Sequence, residues 1–447
     1  MTKEMTSGSP MRLILGFSVP LLFGFLFQQF YNLVDTMIVG KTLGVESLAA
    51  VGSTGSINFL VIGFCMGVCS GFSIPVSHKF GAGDYSGMRR YVANAMWIGI
   101  AFAVVLTVVT GIFCRSILIL MRTPDNILEE AYIYIFIIFI GIPTVFLYNI
   151  LSGVIRALGD SKTPVIFLLM SSVMNIALDL FLIIVMKMGV AGAALATVIS
   201  QGVSGAACLV FMVRKFEILH IQRGEWGFDL HMAKTLCGMG VPMGLQYSIT
   251  AIGSVILQSA ANSLGSNAVA SMTAATRING FMACPFDALG STMATYGGQN
   301  VGAGRIERLT PGLKDGSIIG VAYSLLAFIV MFIFGGQLAK LFVDGSEVQI
   351  IANVRQYILF NSAFFFLLVF VNNVRFMIQG IGFPTFAILA GVLEMIARTL
   401  TGLLIVPFLG FTGLCMGSPI AWLFADIFLI PAYIHSKKVL EKRWEKS

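Results

Sequence analysis

Long apolar stretches alternate with short polar breaks along nearly the whole chain. About 20 consecutive apolar residues cross the hydrocarbon core of a bilayer as a helix. About twelve such spans are expected, roughly at 12–39, 48–77, 89–113, 127–150, 164–186 and 190–213, then at 234–260, 268–297, 312–343, 347–373, 380–408 and 411–435. A buried helix of a soluble protein would be shorter and polar on one face. Several runs exceed a perpendicular crossing, which predicts tilt or extension past the core. The first run is long, contains Pro20 and lacks a small-residue cleavage site, so it reads as a membrane helix rather than a cleaved signal.

Composition supports the pattern. Of 447 residues, 57% are hydrophobic and 11% charged, against roughly 25% charged in soluble proteins. The mean hydropathy is +0.90, and no sizeable soluble domain is left over. A net charge of +7 would suit nucleic acid, but its placement argues for a membrane. With the N-terminus inside, twenty Lys and Arg fall in inside segments, among them Arg89, Arg90, Arg375 and Lys446. Five fall outside (Lys41, Arg115, Arg122, Lys187 and Lys340), and Arg277, Arg355 and Arg398 lie within spans. That bias is the positive-inside rule and places both termini in the cytoplasm. The basic tail, 436–447, would face anionic lipid headgroups.

The seven cysteines lie in or beside apolar spans without a CxxC pair, and the four histidines are dispersed. No structural metal site, cofactor or catalytic constellation is expected, and so no enzyme. Gly81-Ala82-Gly83 and Gly302-Ala303-Gly304 lack the spacing and Lys-Ser/Thr ending of a phosphate loop; they read as helix stops at tight turns. No Walker motif is seen, so ATP use is not expected.

The chain matches itself at an offset of about 221 residues. Leu43-Gly44 recurs as Leu264-Gly265, Phe80-Gly81-Ala82-Gly83 as Val301-Gly302-Ala303-Gly304, and Gly189 and Gly192 as Gly410 and Gly413. Val19-Pro20 recurs as Val241-Pro242, and Arg156-Ala157-Leu158-Gly159 as Gln379-Gly380-Ile381-Gly382, within two residues of that offset. Six spans is an even number, so both halves enter the membrane in the same orientation. This predicts an all-α integral membrane protein of two parallel six-helix lobes, 1–213 and 234–435, joined by a cytoplasmic linker at 214–233. Two lobes that rock about a central cavity give a transporter; a channel would need a filter ring or continuous polar pore. Pro20 and Pro242, at matched positions inside spans, are candidate hinges or static bends.

Ionisable residues in hydrocarbon are costly and mark function by default. Asp35 lies roughly 8 Å from the outer end of span 1; Asp179 and Thr197 are each roughly 12 Å deep from the same side. Asn175 precedes Asp179 by one turn. Three helices thus place oxygen ligands at similar depth, with Asn175 one turn away, which suits binding of H+ or Na+; the competing reading is hydrogen bonding between helices. At the repeat offset the second half has Ile256, Ile396, Leu400 and Ser418 instead. Glu394 and Arg398, one turn apart, are read as a self-neutralising pair. Arg277, Asp287 and Asp426 have no assigned role, and Glu129 and Glu130 are read as interfacial.

The stretches Gln29-Phe30-Tyr31-Asn32-Leu33-Val34-Asp35, Asn175-Ile176-Ala177-Leu178-Asp179 and Gly298-Gln299-Asn300-Val301-Gly302-Ala303-Gly304 resemble those of multidrug and toxic compound extrusion (MATE) transporters. The likeness covers essentially the whole chain. It implies a V-shaped pair of lobes in a bacterial inner membrane, and cation-driven export of small, often cationic or amphipathic compounds. It implies a cation site in the first lobe at Asp35, Asn175, Asp179 and Thr197. Another branch of the family uses an acidic residue in span 7; here that span has no carboxylate. Gln28 and Tyr31, about two turns and one turn before Asp35, and Met174 are substrate-cavity candidates. A monomer is expected, with small molecules and lipids as partners and no nucleic acid. The alternative is a lipid-linked saccharide flippase, which would need cations to hold pyrophosphate.

Overall fold

The computed structural model describes residues 3–121, 123–343 and 345–445. Arg122 and Lys446, two charges used above to orient the chain, lie outside them, as does Ser447 at the end of the basic tail. The described residues are nearly all helical, and none is in a strand.

The first half comprises α1 (Pro10–Leu43), α2 (Gly55–Gly81), α3 (Tyr85–Leu120) and α4 (Asp125–Ile140 and Ile142–Ala157). It continues with α5 (Lys162–Asp179, extended by a π-helical turn over Leu180–Val185) and α6 (Val190–Lys215). The second half comprises α7 (Leu230–Ser263), α8 (Ser266–Gly302), α9 (Leu309–Ala339) and α10 (Val348–Ala363 and Phe365–Gly380). It ends with α11 (Pro384–Leu400, a π-helical turn over Thr401–Ile405, and Val406–Leu409) and α12 (Phe411–Trp444).

Among the described residues nine helices are long and apolar enough to cross a membrane, or eleven when each bent pair counts as one span. The bends are 44° in α4 and 52° in α10. The helix at the eighth expected span, α8, is not among them, because Ser, Thr, Asn and Gly punctuate its 37 residues. In the second half of the helix most of them are buried, among them Gly290, Thr292, Thr295, Gly297, Gly298 and Asn300, as suits close packing between helices.

The duplication has a backbone explanation. Gly83 and Gly304, which end the matched motifs, both have φ +71°. L-residues adopt such angles only at a cost, so glycine is needed where the helix stops and the chain turns. Three further matched pairs, at 44 and 265, 159 and 382, and 189 and 410, also have positive φ. The self-similarity thus marks places where the turn demands one residue type.

The chain folds as two compact units, but not along the expected boundaries. One unit holds Met1–Glu4 and Phe23–Gly244, the other Met5–Leu22 and Leu245–Ser447. The division falls inside α1 and α7, two residues beyond Pro20 and Pro242. Each helix has 34 residues, about 51 Å at 1.5 Å per residue, which is long enough for its two ends to pack in different units.

In the first unit α2 and the start of α7 meet through glycines one turn apart on each side. A Cβ at Gly71 would lie 2.5 Å from the Gly240 Cα, and one at Gly67 would lie 2.7 Å from the Gly244 Cα. Small residues at that spacing let two backbones touch. The expected linker is no loose tether. Glu225 accepts hydrogen bonds from Arg89 Nε and Nη2 (2.6 and 2.7 Å), the Ser86 hydroxyl (2.8 Å) and the Gln222 N–H (2.9 Å). Arg90 pairs with Asp229 at 3.1 Å. The segment is therefore clamped to the first turns of α3.

The core of the second unit centres on Phe286, whose ring meets Tyr323 and Phe365 edge-on at 5.3 Å each. The Gln299-Asn300 step, part of the motif quoted above, is used for structure. Gln299 Oε1 accepts from the Met5 N–H (2.7 Å), and Asn300 Nδ2 donates to the Met5 carbonyl (3.2 Å). Arg305 and Arg308 donate to the carbonyls of Thr6 and Gly8 (2.8 and 2.9 Å).

Candidate functional site

The four residues selected from the sequence converge within the first unit. α1 supplies Asp35, α5 supplies Asn175 and Asp179 one turn apart, and α6 supplies Thr197. Asp179 and Asn175 are 0% and 1% exposed, while Asp35 and Thr197 are half-buried. The Asp35 and Asp179 carboxyls face each other at hydrogen-bonding range. Two carboxyl groups form a hydrogen bond only when one carries a proton.

The Asn175 amide satisfies both neighbours in one orientation, assigned from the network. Its nitrogen then donates to Asp179 Oδ2 at 3.0 Å, and its oxygen accepts from the Thr197 hydroxyl at 3.3 Å. The carboxyl pair is thereby tied through an amide to α6. Among the described residues nothing donates a hydrogen bond to Asp35 Oδ1 or Asp179 Oδ1, leaving two oxygens for a proton or a small cation.

Two tyrosines complete the pocket. Tyr31 and Tyr134 are both close enough to act electrostatically on Asp35 and Asp179. Tyr31, expected to face a substrate cavity, also lies beside the acidic pair. Tyr134, on α4, was not legible in the sequence. It sits in an apolar run beside Tyr132, and no spacing separates it from a packing residue. Gln28 and Met174 are half-buried.

Asp179 is the last residue before the π-helical turn of α5. Such turns often mark functional sites, yet α11 has one at the matched position, preceded by Leu400. The turn therefore belongs to the repeated fold, and the acid was placed on it in one copy only.

Such an acidic pocket, inside one copy of a duplicated six-helix unit, is what the comparisons with known proteins address. The MatE family model matches the chain twice, over residues 20–181 and 242–404. This chain belongs to the MatE family. The two matches begin at Pro20 and Pro242, so the family's repeat is the chain's own. YoeA of Bacillus subtilis, a probable multidrug resistance protein, is 31% identical over 375 residues, with 81% of each chain covered. The FAD transporter of Shewanella oneidensis is 24% identical, with 75% of each chain covered. Among solved structures, the outward-facing conformation of a multidrug resistance MATE family transporter matches with a TM-score of 0.91 at 24% identity, over 98% of both chains. The MatE chain is thus a multi-pass membrane protein of a family of multidrug transporters.

The remaining intramembrane charges of this MatE chain fall into two groups. Arg277 and Arg355 are exposed. In the second unit Glu394 pairs with Arg398 at 3.4 Å, as its spacing suggested, but it also pairs with Arg375. Arg375, counted above among the inside charges, is buried at 5% exposed. The sequence hid this because Arg375 comes near the end of an apolar run, where an inner-face cation is the usual reading. Asp287 accepts a hydrogen bond from Asn372 at 3.3 Å. Glu129 pairs with Arg115, and both are exposed, as suits an interface. Among the described residues no group of three or more His, Cys, Asp or Glu could hold a metal ion. An apolar groove of about 290 Å³ between α3 and α4 is lined by Gly99, Phe146 and Leu151 among others, and none of the acidic-pocket residues borders it.

Proposed function

We propose that this protein is a secondary antiporter that exports small organic compounds, often cationic or amphipathic, in exchange for H+ or Na+. The observation that carries the proposal is the facing Asp35–Asp179 pair, held by Asn175 and Thr197 in one unit and absent from its repeat. A proton satisfies the facing oxygens; a sodium ion would take the two free Oδ1 atoms and the Thr197 hydroxyl. Both remove a buried negative charge, and so both change the cost of packing α1 against α5 and α6. Pro20 and Pro242, just ahead of the points where α1 and α7 pass between units, would act as hinges for alternating access. Gln28, Tyr31 and Met174, on the helices that carry the acids, would meet the substrate, so that ion and substrate compete through shared helices. The protein would act as a monomer in the inner membrane with both termini cytoplasmic.

The test uses proteoliposomes with proton and sodium gradients imposed separately. One gradient should drive uptake or release of a cationic dye by wild type, and the folded Asp35→Asn, Asp179→Asn variant should lose at least about tenfold of that rate. Equal transport by the variant would refute the coupling assignment. A lipid-linked saccharide flippase is less well supported, because the buried cations Arg375 and Arg398 are both engaged by Glu394.

A further inference from the structure

The second unit contains a buried carboxylate that the proposed coupling site does not use. Asp426 lies in the middle of α12 and is 4% exposed, and neither of its oxygens has a hydrogen-bond partner among the described residues. Fifteen residues from the start of α12 place it about 22 Å along the helix, within the apolar span. An ionised carboxylate there, with nothing donating to it, is costly.

Its surroundings hold the complementary deficiency. Arg375, on the facing helix α10, is near enough to act electrostatically on Asp426 but makes no ion pair with it. One end of the guanidinium is committed to Glu394, and its Nε has no partner. Arg398, also bound to Glu394, has Nη1 without a partner. A donor lacking an acceptor and an acceptor lacking a donor thus stand on helices that pack together.

The other titratable groups near α12 do not fill the gap. From α10, Tyr357 is engaged by Ser418 of α12 itself. From α11 come only Glu394 and Arg398. From α7, Tyr247 acts on Arg375. On α12, Tyr433 shares a hydrogen bond with Thr310 of α9 at 3.3 Å, and His435 stands edge-on to Phe386. From the turn before α9, Arg308 is spent on Asn300 and Gly8, and Glu307 lies at the helix end.

We propose that Asp426 is a second proton-binding site, in the second unit, and that its charge selects the partner of Arg375. With the proton on Asp426, Arg375 serves Glu394, as in the structure. When the proton leaves to water, the carboxylate draws the guanidinium across to α12 through its free Nε, and Arg398 alone holds Glu394. The cluster then passes from net positive to neutral with one ion pair exchanged for another. The step alters how α10, α11 and α12 are tied together, and it does not depend on the Asp35–Asp179 pair.

The experiment is infrared difference spectroscopy of the full-length protein in lipid, between acidic and alkaline buffer, in the Asp35→Asn, Asp179→Asn background. A protonated-carboxyl C=O band should be present at neutral pH and vanish in Asp426→Asn. An unchanged spectrum means that Asp426 does not change its protonation between the two buffers and overturns the proposal. Should the asparagine variant not fold, Asp426→Glu keeps the carboxyl and must shift that band; an unmoved band likewise overturns the proposal. The partner exchange is read from the titration midpoint of the band. Removing Arg375 and Glu394 together (Arg375→Gln, Glu394→Gln) should move it by more than about one pH unit, and an unmoved midpoint overturns the switch.

Discussion

Glu225 gives a direct measure of how firmly the segment between α6 and α7 is held. Its side chain is 8% exposed and receives the four hydrogen bonds described above. The donation from Arg89 is the main reason its carboxyl is pushed down to about 2 from an ordinary 4.5. A depression of that size corresponds to about 3 kcal/mol at 1.36 kcal/mol per pH unit. The carboxylate lies shallowly at the rim of the bundle, where solvent screens it, so about 1–2 kcal/mol is the expected net share. Because the folded-state value is depressed, the stabilisation is complete above about pH 4.5 and drains away as the pH falls through about 2. Glu225→Gln removes the charge and leaves Arg89 without its counter-ion. At about 1.4 kcal/mol per decade, local opening of the segment should become about 5–30 times more frequent. Trypsin reads this as faster cleavage after Arg223 in the folded, full-length protein at neutral pH. Arg89→Gln should give a similar increase, and the double variant should fall well short of the sum. A cleavage rate within about twofold of wild type would refute the reasoning.

Other perturbations test the packing. Glu394→Ala leaves Arg375 and Arg398 buried without a counter-ion and should cost about 3–5 kcal/mol, seen as a lower unfolding temperature of the purified protein. Gly380→Ala would place a Cβ 2.3 Å from the Ala294 carbonyl oxygen; forcing α8 and α10 apart should cost about 1–3 kcal/mol, measured the same way. Asp160 accepts from the Lys162 and Thr163 N–H groups at 3.0 Å each and caps the start of α5, so Asp160→Ala should lose about 1 kcal/mol and raise hydrogen exchange at those two amides. Gln299→Ala should free Met5 and its neighbours, and the amide of Met5 should lose its exchange protection.

The sequence and the structure agree where a single physical rule dominates. Apolar length sets the helices, so all but α8 meet the hydrophobic criterion, and α8 fails it because its contacts need small polar residues. Positive φ at Gly83 and Gly304 turned the repeat into a visible motif. Asp35 and Asp179 stood out because a carboxylate in an apolar run has few bland explanations. Tyr134 did not, because a tyrosine there is as well suited to packing. The Arg375–Glu394 pair was hidden for another reason: nineteen residues separate the two, and only the antiparallel return of α11 against α10 brings them together. The unit boundaries were hidden as well, since nothing in the composition of α1 or α7 changes where the helix leaves one unit for the other.

That division of α1 and α7 bears on how the molecule can be made. A ribosome that has released residues up to 213 has not released everything the first unit contains, because residues 230–244 belong to it. The second unit in turn keeps the earliest helical residues of the chain waiting for partners that are synthesised last. Neither half is a self-sufficient folding product. A gene cut at the linker would therefore yield fragments that each lack a piece held by the other, and co-expression should rescue what separate expression cannot.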